Sequence, residues 1–83
     1  MPMFMDSHDL HAPVTMADVA KAHAADLATG EPRDVHYRQY WVDESRGRIF
    51  CLVEAPDAEA AATVHREAHG LVADEIHPVR EGH

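Results

Sequence analysis

Twice in this chain of 83 residues an alanine-rich stretch interrupts runs of β-branched and aromatic side chains, and that alternation leaves few folds open. Residues 2–8, PMFMDSH, read as a strand that ends in polar side chains. Thr15, with Asp18 three residues on, makes an acidic variant of a capping box. Val19, Ala20, Ala22, Ala24 and Leu27 continue as a helix that Gly30 stops. Residues 34–43, DVHYRQYWVD, and 49–55, IFCLVEA, have strand composition and are joined by the turn ESRGR. Pro56 ends the second of these. Asp57 then caps a helix running to about Gly70, in which Ala61, Val64 and Ala68 form an inner stripe with His65 at or beside it. Residues 74–80, DEIHPVR, make a last short strand. Pro78 assigns it to an edge, because proline has no N–H to give to a ladder.

The order β-α-β-β-α-β predicts one α+β domain over residues 1–83 with a ferredoxin-like fold, a four-stranded antiparallel sheet carrying two helices on one face. The first strand is expected at the centre, under both helices. The other sheet face is then uncovered. Tyr37, Tyr40, Trp41 and Phe50 are more aromatic surface than two helices need, which predicts a homodimer through that face. Cys51 is the only cysteine, so disulfides within the chain and thiolate-rich zinc or iron–sulfur frameworks are excluded. A metal or a partner subunit remains as a supplement to a small core. Cys51 itself, mid-strand, reads as a small buried core residue.

Fifteen acidic residues against 7 basic ones give a formal charge of −8, which argues against nucleic-acid phosphates and anionic membranes as partners. No basic N-terminal region precedes an apolar run, and no stretch approaches the length of a membrane-spanning helix, so a cytoplasmic protein is expected.

Eight histidines are the compositional oddity. In VHREAHG, residues 64–70, His65 and His69 stand four apart and leave one face of a helix together. The same spacing also describes an ordinary half-exposed helix face. The sequence is HREAH rather than HExxH, so the protease arrangement is rejected. Asp6 and His8 share a sheet face at the end of the first strand. Glu54 ends the third strand, where it is a ligand or a partner for Arg38 or Arg80. His23 lies three residues before Asp26, as a ligand or in a helix-surface hydrogen bond. His36 alternates with aromatic residues and is a ligand or part of the dimer interface. Imidazole and carboxylate together suit borderline divalent metals such as nickel, zinc or cobalt. No glycine-rich phosphate loop, GxSxG or other catalytic constellation is present.

The segments FMDSHDL, KAHAADL, FCLVEAP, VHREAHG and VADEIHPV, in this order and spacing, resemble a family of small bacterial proteins long labelled a domain of unknown function, one branch of which binds nickel. The resemblance covers nearly the whole chain. It implies a ferredoxin-like fold, a homodimer, and nickel ions held by histidine and carboxylate side chains. The matching positions are Asp6, His8, His23, Glu54 and His65, with His69 in their neighbourhood. The expected role is metal storage, buffering or sensing. The rival reading is a small dimeric α/β-barrel enzyme such as a cofactor-free monooxygenase, with Tyr37, Tyr40, Trp41 and a histidine around an apolar substrate. The cavity discriminates between them: a roomy apolar pocket between sheet and helices favours the enzyme, and a filled one with polar groups at its rim favours metal.

Overall fold

The computed structural model describes residues 1–82; His83, the last residue of the expected domain, lies outside the described residues. The elements are β1 (Met3–Asp9), α1 (Met16–Gly30), a short 3-10 turn (Glu31–Arg33), β2 (His36–Asp43), β3 (Arg48–Glu54), α2 (Ala58–Ala68) and β4 (Glu75–Val79). The strands pair antiparallel in the order β2-β3-β1-β4. This is the ferredoxin-like arrangement that the order of the elements predicts, with β1 central and the Pro78 strand at an edge.

Local chemistry accounts for the helix starts. Thr15 Oγ1 accepts the Asp18 N–H at 3.1 Å, and Asp57 Oδ1 accepts the Ala60 N–H at 2.8 Å, each satisfying a donor that the first turn leaves free. The end of α1 differs from the expectation. Gly30 is not a left-handed stop; its φ is −77° and the chain turns on through Glu31–Arg33, with Asp34 taking the left-handed position at φ 58°. Gly30 is needed for space instead, since a Cβ there would run into the Val35 carbonyl. At the end of α2 the expectation holds: Gly70, φ +82°, donates its N–H to the His65 carbonyl at 3.0 Å.

Alternation along β1 turns Phe4, Asp6 and His8 inward and Met3, Met5 and Ser7 outward. Tyr37, Ile49, Cys51 and Val53 share the inner face, where they join Val19 of α1 and Ala61 and Val64 of α2 in one core. Each fully buried valine contributes about 1.5–3 kcal/mol through removal from water.

A bulge in β2 sorts the aromatic residues. Tyr37 pairs with Val53 but Gln39 pairs with Leu52, so Arg38 is the extra residue. Past the bulge Tyr40 falls opposite Cys51, back on the helix side, and Trp41 falls opposite Phe50 on the open side. The open face therefore carries only part of the aromatic set: Tyr37 is buried against the helices and Tyr40 packs on His23. Trp41, 48% exposed, remains outside with Phe50, over which the Arg48 guanidinium lies at 5.9 Å. Among the described residues no helix is long and apolar enough to cross a membrane.

Candidate metal centre

Three elements converge on His65. The alternation of β1 aims Asp6 at the helices, the inner stripe of α2 carries His65 down onto it, and α1 buries Asp26 on the same side as Val19 and Gly30. Asp6, His65, Asp26 and His8 are all buried, from 0% to 5% exposed. His65 Nε2 lies 2.8 Å from Asp6 Oδ2, and His65 Nδ1 lies 2.9 Å from Asp26 Oδ1. His69 Nε2 reaches the same Asp26 carboxylate at 3.0 Å. The Tyr37 hydroxyl donates to the Ala61 carbonyl at 2.9 Å, and its ring stacks at a tilt against His65.

A free imidazole ring buried this deeply would lose its proton readily. Here burial lowers the His65 pKa, but the bonds to Asp26 and Asp6 outweigh it and raise the value to about 9. Asp6 mirrors this. Burial works against its charge, yet the bond from His65 and the close approach of the His8 ring hold its carboxyl down at about 2. His65 is thus an imidazolium that donates one N–H to each of two carboxylates. Burial, and then the nearby Asp6, push the Cys51 thiol well above the usual cysteine range, so it is a neutral S–H. Burial also lowers the His23 pKa, against the opposing pull of Asp26.

The pairing leaves one atom unsatisfied. Asp6 Oδ1 is buried without a hydrogen bond, and the 3.3 Å approach of His8 Nε2 does not make one. A buried carboxylate oxygen in that state is costly, and a cation would complete it. The donors around it suit one. Asp6, His8, Cys51 and His65 offer ligand atoms all within 4.8 Å of one another, and so do Asp26, His65 and His69. Nitrogen, oxygen and sulfur donors together fit a borderline divalent ion. Beside them lies a cavity of about 20 Å³, lined by His8, His23, Asp26, Cys51, His65 and His69 among others. That volume holds one water or one ion and no organic substrate.

The structure brings Asp6, His8, His65 and His69 together. His23 lines the cavity but belongs to neither donor set. Glu54 and His36 lie apart from these donors. Antiparallel pairing puts Glu54 opposite Met3, at the start of β1 rather than its end, and opposite His36 on the open face. There Glu54 accepts from Arg38 at 2.9 Å, and His36 contacts Asp34 at 2.9 Å. Asp26, expected only beside His23, and Cys51, expected only as a small core residue, join the donor sets. The sequence signal for Asp26 was its place three after His23 and seven after Val19, which is an inward helical position; for Cys51 it was parity with Ile49 and Val53.

A family model described as nickel responsive protein, SCO4226-like, matches residues 4–79. Among solved structures the chain is similar to the crystal structure of SCO4226 from Streptomyces coelicolor A3(2), with 43% identity, a TM-score of 0.90, and coverage of 98% of this chain and 99% of that one. No curated protein matches.

Proposed function

The chain belongs to the nickel responsive SCO4226-like family, and from that premise we propose that it binds nickel, with His65 as the central ligand. The observation that carries the reading is the buried, unsatisfied Asp6 Oδ1 inside a group that also offers His8, Cys51 and His65. In this reading the ion is held on the Nε2 side of His65 by Asp6, His8 and Cys51. The Nδ1–H stays on Asp26, which orients the ring as carboxylates do behind metal-bound histidines. Taking up the ion releases the second imidazolium proton and the thiol proton. Bound metal adds to folding stability in a small domain, because the donors meet only in the native state.

The protein would store, buffer or sense nickel in the cytoplasm, as a homodimer. Support for the dimer is the open sheet face, where Met3, Met5, Trp41, Leu52 and Val79, together with Gln39, Arg80 and Glu81, line a groove of about 300 Å³. The volume of the inner cavity weighs against the monooxygenase reading, since it has no room for a substrate.

The test is a nickel titration by calorimetry of the parent, His65→Gln and His11→Ala. Glutamine keeps a donor between the two carboxylates and so protects the fold. His65→Gln should lose at least about 100-fold in affinity, more than an outer-shell partner alone commonly costs. His11, exposed in a loop, should be dispensable. Parent-like binding by His65→Gln would overturn the reading.

A further inference from the structure

His69 is tied to two things at once. Its Nε2 faces Asp26 Oδ1 at 3.0 Å; His65 Nδ1 lies 3.2 Å away because both N–H groups converge on the same carboxylate, the centre of the second donor set. Its Nδ1 accepts the backbone N–H of Leu71 at 3.1 Å. A backbone N–H can only donate, so Nδ1 bears no proton and the ring carries its proton on Nε2. That proton points at Asp26, where a metal ion would sit.

The turn held by this bond has little else to hold it. Gly70 is anchored behind it through the His65 carbonyl, and Asp74 is anchored ahead of it on β1. There the Asp74 N–H reaches the Ser7 carbonyl at 2.9 Å, and Asp74 Oδ2 takes the Asp9 N–H at 2.6 Å. Between these ends, among the described residues, the Leu71 N–H bond is the one hydrogen bond of residues 71–73. Leu71 and Val72 are 42% and 44% exposed, and a Cβ on Gly70 would meet no atom within 4 Å, so the turn has room to move. Leu71 also lines the inner cavity beside His69.

We propose that Asp26, His65 and His69 form an outer divalent-cation position whose filling unlatches the turn at Leu71. Coordination through His69 Nε2 needs the lone pair that the proton now occupies. The proton passes to Nδ1, so the ring keeps its net charge and changes only its tautomer. Nδ1–H and the Leu71 N–H are then two donors face to face, and the Leu71 amide is expelled. On the other side of the site His65 would give up its Nδ1 proton to solvent, use the freed lone pair for the ion and keep Nε2–H on Asp6. A neutral ring has one lone pair, so the outer and inner positions compete for His65. With the latch open, Leu71 leaves the mouth of the cavity, and the metal state of a buried site becomes a change of surface.

The inference rests on the cation-binding reading above, and the experiment separates the two. Zinc serves as the diamagnetic probe. Long-range nitrogen–proton correlation spectra report which ring nitrogen of His69 carries the proton, and amide exchange reports Leu71. In the metal-free protein His69 should be protonated at Nε2. With zinc it should be protonated at Nδ1, and the Leu71 amide should exchange faster with solvent. Leu71→Pro, which has no N–H to expel, should bind zinc several-fold more tightly, by the net worth of one hydrogen bond. Zinc binding seen by calorimetry with the His69 tautomer and the Leu71 amide unchanged would overturn the latch and leave metal binding standing. Absence of binding with both zinc and nickel would overturn both.

Discussion

His65 sets the pH response expected of this protein, in opposite directions with and without metal. In the metal-free protein its pKa rises from 6.5 to about 9. The stability this gives is complete below about pH 6.5 and is lost as pH climbs through 9, a loss of at most about 3 kcal/mol. Asp6 acts at the other end: with its pKa lowered from 3.8 to about 2, its contribution is complete above 3.8 and lost as pH falls through 2. Chemical denaturation of the metal-free protein should therefore give a falling midpoint from pH 6.5 to 9. A midpoint constant across that range would contradict the paired imidazolium. Nickel must displace a His65 proton, so its affinity should climb at least about tenfold per pH unit between 7 and 9. Imidazole at its ordinary pKa would confine the loss to the range between about pH 7 and 5; a titration flat above pH 7 would restore that simpler picture. The sequence made His65 legible because VHREAHG sets it on an inner stripe above Asp6. It left Asp26 out, because a carboxylate at an inward helical position reads as surface until its partner is known. Glu54 ends β3, but antiparallel pairing sets that end beside the start of β1, away from Asp6 and His8.

At the scale of elements, α1 and β2 carry what periodicity alone does not disclose. A single inserted residue at Arg38 reverses the parity of the strand beyond it, so Tyr40 comes to rest against His23 instead of on the open face. Nothing in DVHYRQYWVD marks the insertion, whereas the strand itself was plain from its β-branched and aromatic content. The end of α1 is similar. Glycine after an alanine-rich run suggests a left-handed cap, yet the backbone at Gly30 is helical and what matters is contact with Val35. Gly30→Ala tests this. Alanine suits a helical φ and would stabilise the protein if conformation alone decided, by about 0.4–1 kcal/mol. The clash with the Val35 carbonyl predicts the opposite sign, a loss of about 1–3 kcal/mol as at other overpacked sites, readable as a lower melting temperature. A more stable Gly30→Ala protein would show that the 34–35 segment yields easily.

At the scale of the whole molecule the proposal gives the two sheet faces separate tasks, and that separation can be tested. The donors of the proposed nickel site lie buried on the side of the sheet that the helices cover. The open face carries Trp41, Phe50, Leu52, Met3, Met5 and Val79, an apolar surface on a chain whose formal charge is −8. Apolar surface of this kind, rimmed by Gln39, Arg80 and Glu81, supports the proposed interface. A second copy can cover it about a two-fold axis, since such an interface is self-complementary. Trp41→Asp puts a charge at its centre and adds to the repulsion between two acidic chains, while leaving the inner face untouched. Sedimentation at micromolar concentration should give a dimer for the parent and a monomer for Trp41→Asp, and calorimetry should give the same nickel affinity for both. A parent that sediments as a monomer would remove the role assigned to the open face. A monomeric Trp41→Asp protein that no longer takes up nickel would mean that the buried donors need the second subunit to stay in place, and that sheet and site are coupled rather than independent.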